Sequence, residues 1–325
     1  MIVPRYWAES KTVKTIKGRQ FTLKRFGWSD ASEADAKSHA DQRLQEAVET
    51  LETKGDVRRI DHKIAYNGAE GIPIREEVVS SEGDTVISRN SYGALCLNTP
   101  DVMFVDIDYE YESTFSLTLC VFSSFVCLSI ILATITHSWL VFVIAFTLSL
   151  FFSSNVANKL YQQFLKRQGG VERKALENIK SVIAKHPELN IRVYKTPKGL
   201  RLLVMNDTYD PKSDHTVGLL DAFDSDIFYI HMCKNQNCFR ARLSPKPWRI
   251  GVDRIRPRPG IWPVKEERLE ERKRWIEHYE KESTNYSACH FLMKLGSDTV
   301  SPKAEAVREL HDKLSGAEKV TQQLA

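Results

Sequence analysis

The stretch Ser113–Asn158, STFSLTLCVFSSFVCLSIILATITHSWLVFVIAFTLSLFFSSNVAN, runs for 46 residues without one Asp, Glu, Lys or Arg. It follows directly on the acidic cluster Asp106-Ile-Asp108-Tyr-Glu110-Tyr-Glu112. A bilayer core about 30 Å thick takes roughly 20 apolar residues per helix, so the run is long enough to cross twice. His137-Ser138, near its middle, is where the chain can turn. The run therefore predicts two antiparallel membrane-spanning helices, at Thr114–Thr136 and Trp139–Ala157, joined by a tight loop. The alternative is a buried hairpin in a soluble core, but such helices normally keep a charged face and this run has none. Ser116, Thr118, Cys120, Ser123, Ser124, Cys127, Ser129 and Thr134 recur through the first half. Small residues allow close helix approach, and hydroxyls can bond across the pair or back to a carbonyl.

Two crossings return the chain to the side it left. Lys159, Lys166, Arg167, Arg173 and Lys174 follow the second helix, while the loop between the helices carries no Lys or Arg. The positive-inside rule then places both polar parts, and both termini, in the cytoplasm. The chain starts MIVPRYWAESKTVK, with no apolar stretch, which excludes a signal peptide at that place. The lipid bilayer is the first expected partner. Asp108, Glu110 and Glu112 fall near its headgroups, where carboxylates need a metal, a basic ligand or protein cations beside them.

With 325 residues and 42% hydrophobic content, the chain can form one or two cores besides the hairpin. A net charge of +4 is too small to point to nucleic acid by itself, so the distribution of cations matters more. Six cysteines (Cys96, Cys120, Cys127, Cys233, Cys238 and Cys289) are unevenly spaced, two of them in the apolar run, unlike a secreted disulfide framework. No P-loop, dinucleotide glycine motif or nucleophile turn occurs.

The expected fold class is α+β: a mainly antiparallel sheet covered by helices, with an inserted two-helix membrane hairpin and a helical C-terminal region. Residues 1–55 read as two strands around a Lys17-Gly18 turn, then a helix from Ala31 to Thr53 ending near Gly55. Residues 56–112 begin with an Asn67-Gly68 and Gly71-Ile-Pro73 loop region over Ala65–Glu77. Strands are expected at Arg75–Val79, Thr85–Arg89, Ala94–Leu97 and Val102–Asp108. After the hairpin (113–158), residues 159–263 hold an amphipathic helix over Val171–His186, ended by Pro187. A β-hairpin follows at Ile191–Thr196 and Leu200–Met205, then a helix at Ser213–Phe223 and a strand at Cys238–Leu243. Residues 264–325 read as charged, solvent-facing helix.

Asp106-x-Asp108 ends a hydrophobic strand. Alternate residues share a strand face, so both carboxylates can reach one hard cation, Mg²⁺ or Mn²⁺, as two-metal phosphoryl transfer requires. Asp106 and Asp108 are thus the candidate catalytic and metal-binding residues, the bland reading being two solvated acids at a strand end. Arg240, Arg242, Lys246 and Arg249, in Cys238-Phe-Arg-Ala-Arg-Leu-Ser-Pro-Lys-Pro-Trp-Arg249, form the candidate phosphate-binding set, and Trp248 supplies a stacking plane. Arg254, Arg256 and Arg258 extend it. Competing readings are a basic surface facing anionic lipid, or internal pairing with Asp106, Asp108 and Glu110. His231-Met-Cys233-x4-Cys238 with Cys289-His290 is loosely spaced for zinc, and buried cysteines acting as small hydrophobes are the preferred reading.

Two resemblances bear on function. Phe104-Val-Asp106-Ile-Asp108, a helix, then Tyr194-Lys-Thr-Pro-Lys-Gly199-Leu-Arg201 resembles the core of archaeo-eukaryotic primases and primase-polymerases over roughly Ala94–Asp207. The resemblance implies a domain that binds a nucleoside triphosphate and metal. Arg201 stands where that family has a His, so it joins the phosphate-binding candidates, and Asp207 and Asp221 are the candidates for a third carboxylate. The whole chain also looks like a family of bacterial proteins without an established activity, some described only as transmembrane proteins. That likeness rests on Arg19–Asp30, Tyr66–Gly71, Pro73–Glu76, Arg89–Gly93 and Cys238–Arg249. It implies a bacterial inner-membrane setting.

Together these readings predict a membrane-anchored cytoplasmic α+β domain that binds nucleotide or nucleic-acid phosphate and can use a divalent metal for phosphoryl or nucleotidyl transfer. The alternative is a non-catalytic, membrane-tethered binding or scaffold protein contacting anionic lipid or an acidic partner.

Overall fold

Strands β1 (Tyr6–Ile16) and β2 (Arg19–Ser29) pair antiparallel from Tyr6↔Ser29 to Ile16↔Arg19 in the computed structural model, which describes residues 3–16, 18–61 and 71–325. Of the expected Lys17-Gly18 turn, Lys17 lies outside the described residues, as do residues 62–70 of the expected Ala65–Glu77 loop. Helix α1 (Glu33–Lys54) starts at Ser32, whose Oγ accepts from the Asp35 N–H at 3.0 Å, and stops at Gly55 in the left-handed conformation. Its buried stripe of Ala36, Ala40, Ala47 and Leu51 lies on the strand pair. The stripe is small because the backbones nearly touch. A Cβ on Gly27 would sit 2.2 Å from the Ala36 carbonyl oxygen. Leu23, Ala47 and Leu51 form the core of this layer, flanked by Phe21, Leu44 and Val48.

The chain continues through β3 (Glu77–Glu82), β4 (Thr85–Arg89), β5 (Leu95–Thr99) and β6 (Phe104–Asp108). Three helices follow: α2 (Phe115–Thr136), α3 (Trp139–Arg167) and α4 (Gly170–Lys185). Next come β7 (Asn190–Lys195), β8 (Gly199–Val204), α5 (Asp214–Ala222), α6 (Ile227–Gln236) and β9 (Phe239–Arg242). The last elements are α7 (Leu269–Ser283), β10 (Tyr286–Ser287), β11 (His290–Gly296), α8 (Pro302–Ser315) and β12 (Gln323–Leu324).

The fold is α+β, with two four-stranded sheets ordered β11-β7-β8-β6 and β3-β4-β5-β9. Pairings β11/β7, β7/β8, β3/β4, β4/β5 and β5/β9 are antiparallel. Strand β8 is buried along its whole length, as its near-continuous apolar sequence requires. The chain divides into two units, one made of Met1–Ile107 with Ile183–Ala325 and the other of Asp108–Val182. The larger unit is therefore discontinuous in sequence, with the smaller one inserted after β6.

Within the smaller unit, α2 and α3 form an antiparallel hairpin that turns at His137, which adopts the left-handed conformation (φ 46°). The Ser113 N–H donates to Asn158 Oδ1 at 2.8 Å and closes its open end. Val121, Ser129, Ser149, Ser153, Ala157 and Leu165 are its buried residues. The hydroxyls of Ser124, Ser129 and Thr147 each donate at 2.8 Å to the carbonyl four residues back, so these donors are satisfied within their own helices. Both helices are long and apolar enough to cross a membrane, and only 6% and 17% of their apolar windows is buried inside the protein. A core helix would be mostly buried. Helix α3 runs ten residues past Ala157, because Asn158–Arg167 contains no Gly or Pro and the first breakers are Gly169 and Gly170.

The C-terminal region is helical, in α7 and α8, but it is not only solvent-facing helix. Strand β11 extends the central sheet beside β7, and α8 buries Ala304, Val307, His311, Asp312 and Ser315. The charges of Glu266–Lys281 mask this, since they lie in the preceding segment and α7. Even α7 buries Arg272, Trp275 and Tyr279 and is joined to the second sheet by ion pairs Arg272–Glu77 at 2.6 Å and Arg89–Glu280 at 2.6 Å.

Candidate functional site

Asp106 is half-buried near the end of β6, and its Oδ1 lies 3.6 Å from Nη2 of Arg201 on the neighbouring strand β8. Arg201 also donates through Nη1 to the Arg242 carbonyl at 2.8 Å, so one buried guanidinium links the edge strands of both sheets. The Asp106 carbonyl accepts from the Asp226 N–H at 2.9 Å and from Ser225 Oγ at 3.2 Å. Asp108, exposed, belongs to the smaller unit. Among the described residues, no three His, Cys, Asp or Glu side chains converge as a metal site. Asp106 thus faces a built-in cation, the internal pairing that the sequence left open.

The other expected anion-binding residues separate into an inward and an outward set. Arg240 is buried and faces Glu76, its Nη2 donating to both carboxylate oxygens at 2.8 and 2.7 Å. Ser88 Oγ donates to the same carboxylate at 2.6 Å, and Asn98 Nδ2 donates to Ser88 Oγ at 2.9 Å. Burial opposes the charge on Arg240, but Cys96 and Glu76 outweigh it and raise its pKa well above the usual arginine value. Arg242 donates to the carbonyls of Ser244, at 2.7 Å, and Ala325, at 3.2 Å. Arg201 therefore bridges the two sheets, Arg240 ties β9 to Glu76 beside β3 of the same sheet, and Arg242 ties β9 to the C-terminal residue. The alternation of Arg240 and Arg242 on β9 gave no sign of this, because Glu76 and Ala325 lie far away in sequence.

Lys246, Trp248 and Arg249 form the outer set, with Trp248 exposed, Lys246 and Arg249 half-buried and Arg249 Nη1 turned inward. Pro247 opens a short 3₁₀ turn, Pro247–Arg249, and the Arg249 N–H closes back on the Lys246 carbonyl at 2.8 Å. This lifts Trp248 to 47% exposure. Lys246 Nζ lies 5.8 Å and Arg254 Cζ 5.1 Å from the Trp248 ring centroid, and Tyr92 meets it edge-on at 5.2 Å. The Tyr92 carbonyl accepts from the Ile255 N–H at 3.1 Å, which ties the two segments together. Arg254, Arg256 and Arg258 are exposed beyond. Tyr92 is the member of this ridge that local sequence reading missed. Only the fold brings it to Trp248.

The expected soft-ligand residues also separate. Cys233 and Cys238 are buried at the end of α6, whereas His231 is exposed. Burial pushes the Cys238 thiol up to about 12 and the Cys233 thiol well above its usual value, so both stay protonated. Cys289 has a different neighbour from the expected His290. Its Sγ is 3.8 Å from His311 Nε2 and 3.5 Å from Ser315 Oγ, while His311 Nδ1 is 2.9 Å from Asp312 Oδ1. Burial opposes ionisation of Cys289, but His311 outweighs it and lowers the thiol pKa. Thiol, imidazole and carboxylate follow the order of a nucleophile, base and orienting acid. All three are buried, without the exposure that a reactive cysteine needs. The cluster instead joins α8 to the central sheet, through Arg192 on β7 donating to Asp312 at 3.1 Å and the Tyr194 ring 4.9 Å from that of His311.

Comparison of the chain with protein-family models, with curated proteins and with solved structures gives no match.

Proposed function

We propose that this chain is a membrane-anchored binding protein whose ridge of Tyr92, Lys246, Trp248, Arg249 and Arg254 takes phosphate-bearing nucleotides or single-stranded nucleic acid. The supporting observation is Trp248, a half-exposed indole with two cations and a second aromatic ring around it. Base stacking on an aromatic face, with neighbouring cations on the phosphates, is how single strands are held without base-specific readout. The pairing of Asp106 with Arg201 favours binding over metal-dependent transfer, since a divalent cation at Asp106 would compete with a resident guanidinium.

Titration of the detergent-purified chain with a fluorescent oligothymidylate tests this. Trp248→Ala is expected to weaken binding by about 5- to 150-fold, the equivalent of roughly 1–3 kcal/mol per stacked base. Lys246→Ala and Arg254→Ala should each flatten the dependence of log affinity on log salt by about 0.7. Unchanged affinity in Trp248→Ala would sink the nucleic-acid reading and favour an acidic protein or lipid as the ridge's partner.

The proposed setting is a bacterial inner membrane crossed twice by α2 and α3. The five cations from Lys159 to Lys174 support this orientation, with both termini in the cytoplasm. Fusions of a cytoplasm-active and a periplasm-active reporter to each end should all report the cytoplasm. A terminus on the opposite side would overturn the two-pass topology.

A further inference from the structure

We infer that Ile227 and Phe228, in the first turn of α6, form a lipid contact through which the larger unit touches the interfacial layer of the bilayer. The inference rests on the proposed membrane insertion of the α2–α3 hairpin. Ile227 is 53% and Phe228 59% exposed, on a helix whose Tyr229, Ile230, Met232 and Cys233 are buried. In the larger unit, among the described residues, no other two sequence neighbours are both large, apolar and exposed.

Their position gives them their partner. The Asp226 N–H and the Ser225 hydroxyl both bond the Asp106 carbonyl, so this turn is fixed to the end of β6. The chain leaves the larger unit after Ile107, and the apolar run begins at Ser113. Six extended residues reach at most about 21 Å. The turn therefore lies beside the point from which the chain departs for its apolar helices. The intervening segment contains Tyr109 and Tyr111, a residue type enriched at membrane–water interfaces.

Charge and area narrow the occupant further. Besides the buried Tyr229 and Cys233, the titratable residues immediately around the pair on this segment and helix are Asp224, Asp226, His231 and Lys234, and they provide no excess of cations. Apolar burial, rather than attraction to anionic headgroups, is then the driving force, and zwitterionic lipid suffices. Two side chains are also far short of the roughly 800 Å² per partner that a stable protein–protein interface buries.

The test uses the full chain in phosphatidylcholine nanodiscs, with the exposed thiols removed by Cys120→Ser and Cys127→Ser. A nitroxide is attached at Phe228→Cys, and at Leu128→Cys and Val320→Cys as lipid and water references. Collision with oxygen is compared with collision with a water-soluble nickel chelate. The Phe228→Cys label is expected to shift toward oxygen, as Leu128→Cys does, while Val320→Cys favours the chelate. A label at 228 that matches 320 while 128 reports lipid overturns this inference and leaves the hairpin in place. Chelate access at 128 would instead overturn the membrane reading, and with it the contact.

Discussion

Replacing Arg240 with Met is expected to cost the larger unit about 3–5 kcal/mol of stability, because it leaves the Glu76 carboxylate buried without its cation. Both side chains are about 4% exposed, and the contact is two-pronged at 2.7 and 2.8 Å. Glu76→Gln should fall in the same range, since Arg240 would keep its charge in a dry site. The double variant Arg240→Met with Glu76→Leu should recover much of the loss, because removing both charges removes the need to desolvate either. Urea denaturation of the detergent-solubilised chain, followed by tryptophan fluorescence, measures this. None of these variants should alter oligonucleotide affinity at the Trp248 ridge. A loss below about 1 kcal/mol for Arg240→Met, the range of exposed pairs, would mean that the pair is not buried as described and would return Arg240 to the anion-binding set.

Asp312→Ala is expected to destabilise by a similar amount, about 3–5 kcal/mol, since it strips one carboxylate from His311 and two arginines together. Arg192 donates to it at 3.1 Å, Arg308 lies 3.4 Å from it, and His311 2.9 Å. Burial opposes ionisation of Asp312, but its bonds with His311 and Tyr194 and the charge of Arg192 together lower its pKa below 3.8. A depressed carboxylate contributes stability that is complete above its unfolded pKa and is lost as pH falls through the folded one. Burial likewise opposes the charge on His311, while Cys289 and Asp312 outweigh it and raise its pKa above 6.5. A raised imidazole contributes stability that is complete below its unfolded pKa and is lost as pH rises through the folded one. The pair therefore stabilises α8 most fully between about pH 4 and 6.5. Asp312→Asn should show a shallower loss of stability below pH 4 than the wild type, as read by thermal melts across pH. Parallel acid limbs would show that this carboxylate is not held as described.

The helices that depend on local signals were largely legible. Ser32 and Gly55 bound α1 because a cap and a left-handed glycine act within a few residues. The hairpin helices match their expected limits closely, except where α3 continues as a polar helix to Arg167. Helix α6 was not expected at all. Its ends are set by Asp226, whose side chain accepts from the Tyr229 N–H at 2.8 Å, and by Asn237 in the left-handed conformation, while apolar Ile227 and Phe228 on its exposed face and Gln236 among its buried residues blur the amphipathic period. Strand β11 was absorbed into an expected helical region because its partner β7 lies far back in the chain. Of the candidate site, Trp248 and Lys246 were visible as an aromatic among Pro-framed cations. The inward turn of Arg201, Arg240 and Arg242 was not, because an arginine's role depends on which carboxylate or carbonyl the fold sets beside it.

By itself, the sequence determined that two long apolar helices interrupt an α+β chain, since bilayer thickness and helix rise turn 46 residues without a charge into a physical length. Only the tertiary structure decided what the charges outside that run do. It placed Glu76 on Arg240, Arg201 on Asp106 and Asp312 on His311, and left Trp248 and Arg254 at the surface. Apolar length is a property of neighbours in sequence. Pairing of charges depends on distances of a few ångström between residues that lie far apart along the chain.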